Sequence, residues 1–148
     1  MKNLWMAGMM ITALTVACKK KGCMDPVALN YNSEAEKQDK SCQYDYRGAF
    51  MGDYQVADST YMNGNLTEAK TYTLHLTTGG TKRDTVFLNN LFDSGMSFIA
   101  FYSDGHLLIP SQEVSGSYYI QGDVWLRAGE ILMQTIGGDY SNRIEGSK

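Results

Sequence analysis

From Phe50 onward the chain alternates apolar and polar residues in short runs separated by glycine-containing turns, and a period of two specifies β-sheet. Phe50, Gly52, Tyr54 and Val56 share one face, and Met51, Asp53, Gln55 and Ala57 the other. Tyr72, Leu74 and Leu76 alternate in the same way with Thr71, Thr73, His75 and Thr77. Gly79-Gly80 turns the chain, Val86 to Leu88 gives a third strand, and Met96 to Tyr102 a fourth with apolar groups on both faces. Asp104-Gly105 is a hairpin signal leading into His106 to Ile109. Val114 to Ile120 reads as the next strand, with Gly116 as a bulge or bend in its middle. Gly122-Asp123 then turns into Val124 to Arg127, Ala128-Gly129 turns into Glu130 to Ile136, and a short last strand falls around Asn142 to Gly146. Eight or nine short strands with tight connections favour antiparallel neighbours, because a parallel crossover needs a dozen or more residues. The expected fold of residues 45–148 is all-β, an antiparallel meander closing as a small barrel or sandwich.

Composition agrees with that expectation. Ten tyrosines and fifteen glycines against two prolines suit strands joined by tight turns, and no long stretch after residue 18 carries apolar residues at helical spacing.

The N-terminus is of another kind. Lys2 is followed by a mostly apolar run from Leu4 to Ala17, too short for a bilayer span of roughly 20 residues, and it reads as a signal peptide over residues 1–17. Thr15-Val16-Ala17-Cys18 resembles the bacterial lipoprotein signal, with Thr15 where Leu is usual and Leu14 one place earlier. The resemblance implies cleavage before Cys18, palmitate-type acylation of its thiol and amine, and a place in the cell envelope. The odd cysteine count fits this, since lipidation of Cys18 leaves an even pair. Removing residues 1–17 deletes the single charge of Lys2, so the formal balance moves from −3 to −4. A mildly acidic chain without a long basic face gives little support for nucleic-acid binding. Residues 18–21 are expected to form a lipidated linker, in which Lys19, Lys20 and Lys21 either touch acidic headgroups or act as a solvated spacer. Bacteroidetes-type lipoproteins sent to the cell surface resemble one another in having acidic residues just after the acylated Cys, so with basic Lys19 to Lys21 in that place the resemblance implies retention at the outer membrane facing the periplasm.

With Cys18 lipidated, Cys23 and Cys42 most simply pair with each other in an oxidising envelope. A loop of about 20 residues closed in this way gains about 3 kcal/mol in the chain-entropy account. Gly22, Cys23, Asp25, Ala28, Asn30, Tyr31, Asn32, Ala35, Asp39, Ser41, Cys42 and Tyr44 resemble a Cys-bracketed motif of envelope and surface proteins from Bacteroidetes-type bacteria. Lys40 replaces the usual glycine. The resemblance implies a lineage and a compartment for residues 22–44, not a reaction. Asp25, Asn30, Asn32 and Asp39 place oxygen ligands in one constrained loop, the chemistry calcium prefers. The same side chains also form turns and caps. Pro26 with Val27-Ala28 could open a short helical turn.

The β-domain resembles small lipocalin-like domains of lipoproteins from the same bacteria, through Phe50 to Val56 with Asp58, Ile109-Pro110-Ser111-Gln112, Gly116 and Gly122. Tyr54 stands where a lipocalin usually carries Trp, and a small barrel of this length can fill itself with side chains. No GxSxG, HExxH, P-loop or GxGxxG run is present. His75 falls on a polar strand face and His106 follows a turn, so both are expected at the surface. Asp53, Asp84, Asp93 and Asp123 could meet across strands as a glycosidase pair would. Tyrosines and Trp125 offer flat amphipathic rings for sugars, lipids or protein surfaces, although Tyr54, Tyr72 and Tyr118 are explained by core packing. The sequence therefore reads as a lipid-anchored envelope β-domain, a non-catalytic binding or structural accessory module for a protein or small ligand. Its alternatives are a small envelope hydrolase and a subunit pairing by strand edges within an outer-membrane complex.

Overall fold

The computed structural model describes residues 19–79 and 84–148. The signal segment 1–17, the lipidation residue Cys18 and Gly80 of the expected Gly79-Gly80 turn lie outside the described residues. Two compact units divide between Tyr44 and Asp45.

In the first unit Cys23 and Cys42 are disulfide-bonded. Two short strands, β1 (Lys21–Gly22) and β2 (Lys37–Gln38), pair in parallel. Lys20 forms an ion pair with Glu34, and its carbonyl accepts from the amides of Glu36 and Lys37. Lys20 and Lys21 of the expected linker 18–21 are thereby built into the unit. Pro26 to Ala28 lies in a single turn closed by the Ala28 amide on the Asp25 carbonyl at 3.1 Å, not in a helix.

The second unit opens with a 3₁₀ turn, Tyr46–Ala49. Asp45 caps it by accepting from the Arg47 amide at 3.0 Å and from the Arg47 guanidinium, which is buried and donates onward to the Thr85 carbonyl at 2.9 Å. Eight antiparallel strands follow: β3 (Gly52–Met62), β4 (Asn65–Thr78), β5 (Thr85–Asn89), β6 (Ser97–Ser103), β7 (His106–Ser115), β8 (Tyr118–Arg127), β9 (Glu130–Gly137) and β10 (Tyr140–Ser147). Each pairs with the next, and β10 pairs back onto β3, with Tyr140 opposite Met62 and Ser147 opposite Gln55, so the sheet is a closed barrel rather than a sandwich.

The expected alternation holds through the wall. Tyr54, Val56, Tyr72, Leu74, Leu76, Val86, Leu88, Phe98, Ala100, Leu107, Ile109, Ile120, Val124, Ile131, Met133 and Ile144 are buried in one cluster. Each large member contributes about 1.5–3 kcal/mol by leaving water. Phe50, at the end of the 3₁₀ turn, and Leu91 join the same cluster, and the Tyr54 hydroxyl donates to the Phe50 carbonyl at 3.0 Å.

Three local expectations are corrected. Val114 to Ile120 is not one strand, because Gly116, at φ +58°, lies in the turn between β7 and β8. Gly122-Asp123 is not a turn but the middle of β8. A Cβ on Gly122 would stand 2.0 Å from the Gln134 carbonyl oxygen, so glycine here lets β8 and β9 approach as the wall bends. The last strand is longer than Asn142 to Gly146 and supplies the barrel closure.

The β7 strand also bulges. Ile109 pairs with Gly122 and Gln112 with Ile120, so Pro110 and Ser111 oppose Gln121 alone. On its other side β7 pairs with β6 only from Phe101 to Ser103. Beyond that point the Gln112 side chain replaces the ladder, donating to the Ile99 carbonyl at 2.7 Å and accepting from the Ile99 amide at 2.9 Å.

Gly122→Ala should destabilise the barrel by about 2–3 kcal/mol through the forced separation of β8 from β9, read as a lower denaturation midpoint. Residues 45–148 expressed alone should show a β-type circular dichroism spectrum and one cooperative thermal transition. A non-cooperative melt would move the folding boundary into the Cys-bracketed segment.

Candidate functional site

In the Cys-bracketed loop the four oxygen-bearing side chains named from sequence act as internal connectors. Asp25 accepts from the Val27 amide at 3.0 Å and from the Tyr44 hydroxyl at 2.7 Å, and these bonds, the tyrosine's first, hold its carboxyl below the usual range. Asn30 donates to the Ser41 carbonyl at 2.7 Å and accepts from the Gln43 amide at 2.8 Å, tying the two arms of the loop together. Asn32 accepts from the Glu34 amide, and Asp39 from the Ser41 amide. Among the described residues no three His, Cys, Asp or Glu side chains gather as a metal site. Each of the four side chains proposed for calcium has an oxygen that accepts a backbone amide within the loop.

The histidines and aspartates have separate local partners. His75 Nδ1 lies 2.7 Å from Asp53 Oδ1 on the exposed wall, and His106 Nε2 lies 3.4 Å from Asp123 Oδ1 while its ring stacks on Trp125. Among the described residues no serine hydroxyl bonds to either ring. Asp84 accepts from the Thr85 hydroxyl and Asp93 from the Asn90 amide. Two carboxylates do share a cleft, but they are Glu130 and Glu145, which the sequence reading did not single out. This cleft of about 550 Å³ crosses the outside of β3, β9 and β10. Both glutamates are exposed, and Glu145 is held by Arg143 at 2.6 Å. Neither is withdrawn from water, as a general acid working at neutral pH requires.

The barrel interior changes character along its length. Past the apolar layers, Asp58 on β3 is buried and accepts from Asn142 Nδ2 at 2.9 Å, while Asn142 also donates to the Thr60 hydroxyl at 2.8 Å. The Tyr72 hydroxyl lies 3.4 Å from the other Asp58 oxygen and accepts from the Phe92 amide at 3.0 Å. Lys70 donates to the Phe92 carbonyl at 2.7 Å, so both backbone groups of Phe92, held at φ 62°, are clamped. Thr135, opposite Asn142, keeps a buried hydroxyl without a partner among the described residues. Burial raises the Asp58 carboxyl above its usual value against the opposing pull of Asn142 and Lys70, and burial followed by the Asp58 charge raises Tyr72. Continuing the period of two by one step from Tyr54 and Val56 places Asp58 inside, which is the signal for it in sequence.

Two more clefts lie on the outside of β7, β8 and β9. One, of about 490 Å³, is lined by residues including Leu108, Pro110, Ser111, Gln121, Asp123, Gln134 and Ile136. The other, of about 230 Å³, shares Ser111, Gln121 and Ile136 with it and adds Tyr119. The two form one trough, opened where β7 bulges.

Against protein-family models, curated proteins and solved structures, the chain finds no match.

A carboxyl whose folded-state value is raised contributes stability that is fully present below its unfolded value of 3.8 and is lost as pH rises through the folded value. Asp58→Asn, which keeps an acceptor for Asn142 and removes the buried charge, should therefore raise the thermal midpoint at pH 7. The difference from the wild type should narrow toward pH 4, as melts across that range would show.

Proposed function

We propose that this chain is an envelope lipoprotein, acylated at Cys18 after removal of residues 1–17, whose barrel serves as a non-catalytic binding or structural accessory module. The observation that carries the reading is the filled interior. Tyr54, Leu74, Leu76, Leu88, Leu107 and Met133 occupy the space where a lipocalin calyx would hold its ligand, which leaves the outer wall as the binding surface. Closure supports a binding module over an edge-pairing subunit, since every barrel strand already has two neighbours. The disulfide agrees with an oxidising compartment. The resemblance of residues 22–44 to a Bacteroidetes-type envelope motif and of the barrel to lipocalin-like domains belongs to the same proposal, as does an outer-membrane position facing the periplasm.

A small hydrolase is the second reading, and the shared cleft of Glu130 and Glu145 is its specific observation. The exposure of both groups weighs against it.

Cys18→Ala should move the protein from the membrane fraction to the soluble fraction, because acyl chains contribute about 0.8 kcal/mol per buried CH₂. Unchanged partitioning, together with an N-terminus of unmodified mass, would overturn the lipid anchor.

A further inference from the structure

We infer that the trough across β7, β8 and β9 is a binding site for a neutral carbohydrate chain, which deepens the binding-module reading and rests on it. The side chains of Ser111, Gln121 and Gln134 line the trough, and none of them hydrogen-bonds to another protein group among the described residues. Amides carry both donors and acceptors, so each can take up the adjacent hydroxyls of a sugar ring. Asp123 adds an acceptor-only group, which lies 3.4 Å from His106 Nε2. No lysine or arginine lines either cleft, so nothing there would compensate a phosphate, sulfate or carboxylate.

The apolar part of the trough completes the match. Leu108 and Ile136 are 44% and 54% exposed, and Tyr119 is 50% exposed beside them. Flat apolar surface of this kind receives the C–H face of a sugar ring while the amides meet its edge. A lipid chain would leave the amides unpaired, and enclosing an unpaired polar group under a ligand is unfavourable. Tyr119, Gln121 and Asp123 are alternate residues of one strand, so they mark a span of about 14 Å at ~3.4 Å per residue. An elongated ligand fits this row better than a single ring. The volume of about 490 Å³ for the larger cleft lies within the range of about 300–1,000 Å³ usual for ligand sites.

The test is affinity electrophoresis of the detergent-solubilised full chain through gels containing neutral β-glucan, mannan, xylan or starch, with anionic alginate as the contrast. Retardation by at least one neutral polymer is expected. Tyr119→Ala and the double variant Gln121→Ala/Gln134→Ala, all at exposed positions, should weaken it about tenfold, whereas Gln55→Ala in the other cleft should leave it unchanged. No retardation by any neutral polymer, retardation by alginate alone, or retardation insensitive to the trough variants would overturn the inference. Release of reducing ends from a bound polymer, abolished by Glu130→Gln, would overturn the non-catalytic reading instead. It would leave the trough standing if the trough variants still weakened binding.

Discussion

Closure of the sheet by β10 on β3 is the constraint on which the rest of the second unit depends. The last strand makes eight residue pairs with β3 and eight with β9, so removing it would bare two edges and open the apolar interior together. Closure also fixes which residues face inward, because a one-residue slip would turn every side chain of a strand to the opposite face. The buried polar group Asp58–Asn142–Thr60 straddles this junction. It satisfies its members only in the observed register and so helps to specify it.

The parts of the fold legible in the sequence are those where one face is apolar and the other polar. Tyr54 and Val56, and Tyr72, Leu74 and Leu76, announce their strands because the inner row has no polar member there. The distal parts of β3 and β4 give no such signal, since most of residues 63–70 are exposed and their side chains follow no period. Glycine serves two different ends in this wall. Gly116 and Gly122 look alike in sequence, but one supplies a left-handed backbone at a turn and the other a missing side chain between two close strands. Only the partner strand distinguishes these uses. The trough was illegible for a related reason, because Gln121 and Gln134 are adjacent only through the pairing of β8 with β9.

The Cys-bracketed segment shows how a short stretch with few large apolar residues holds a defined shape. Its order comes from the Cys23–Cys42 bond together with side chains that each hold a particular backbone group, as Asn30 does across the loop and Asp25 does for the Val27 amide. The motif positions are explained by this connectivity. Gly22 belongs to the same set, since a Cβ there would crowd Ala35 and Asn32 at 3.2 Å.

The Gln112 side chain that stands in for the ladder between β6 and β7 gives the barrel an uneven seam. Along most of the wall the strands are held by main-chain pairs that part only when strands move. At Ile99 it is held by one rotatable amide, so a single rotamer change releases both backbone groups to water without disturbing the packed interior. Local opening at this point would break no main-chain pair, so the amide hydrogen of Ile99 is expected to exchange with solvent ahead of its neighbours in the ladder. The seam lies beside the bulge that opens the trough, so a side chain and not a main-chain ladder holds the wall along that border.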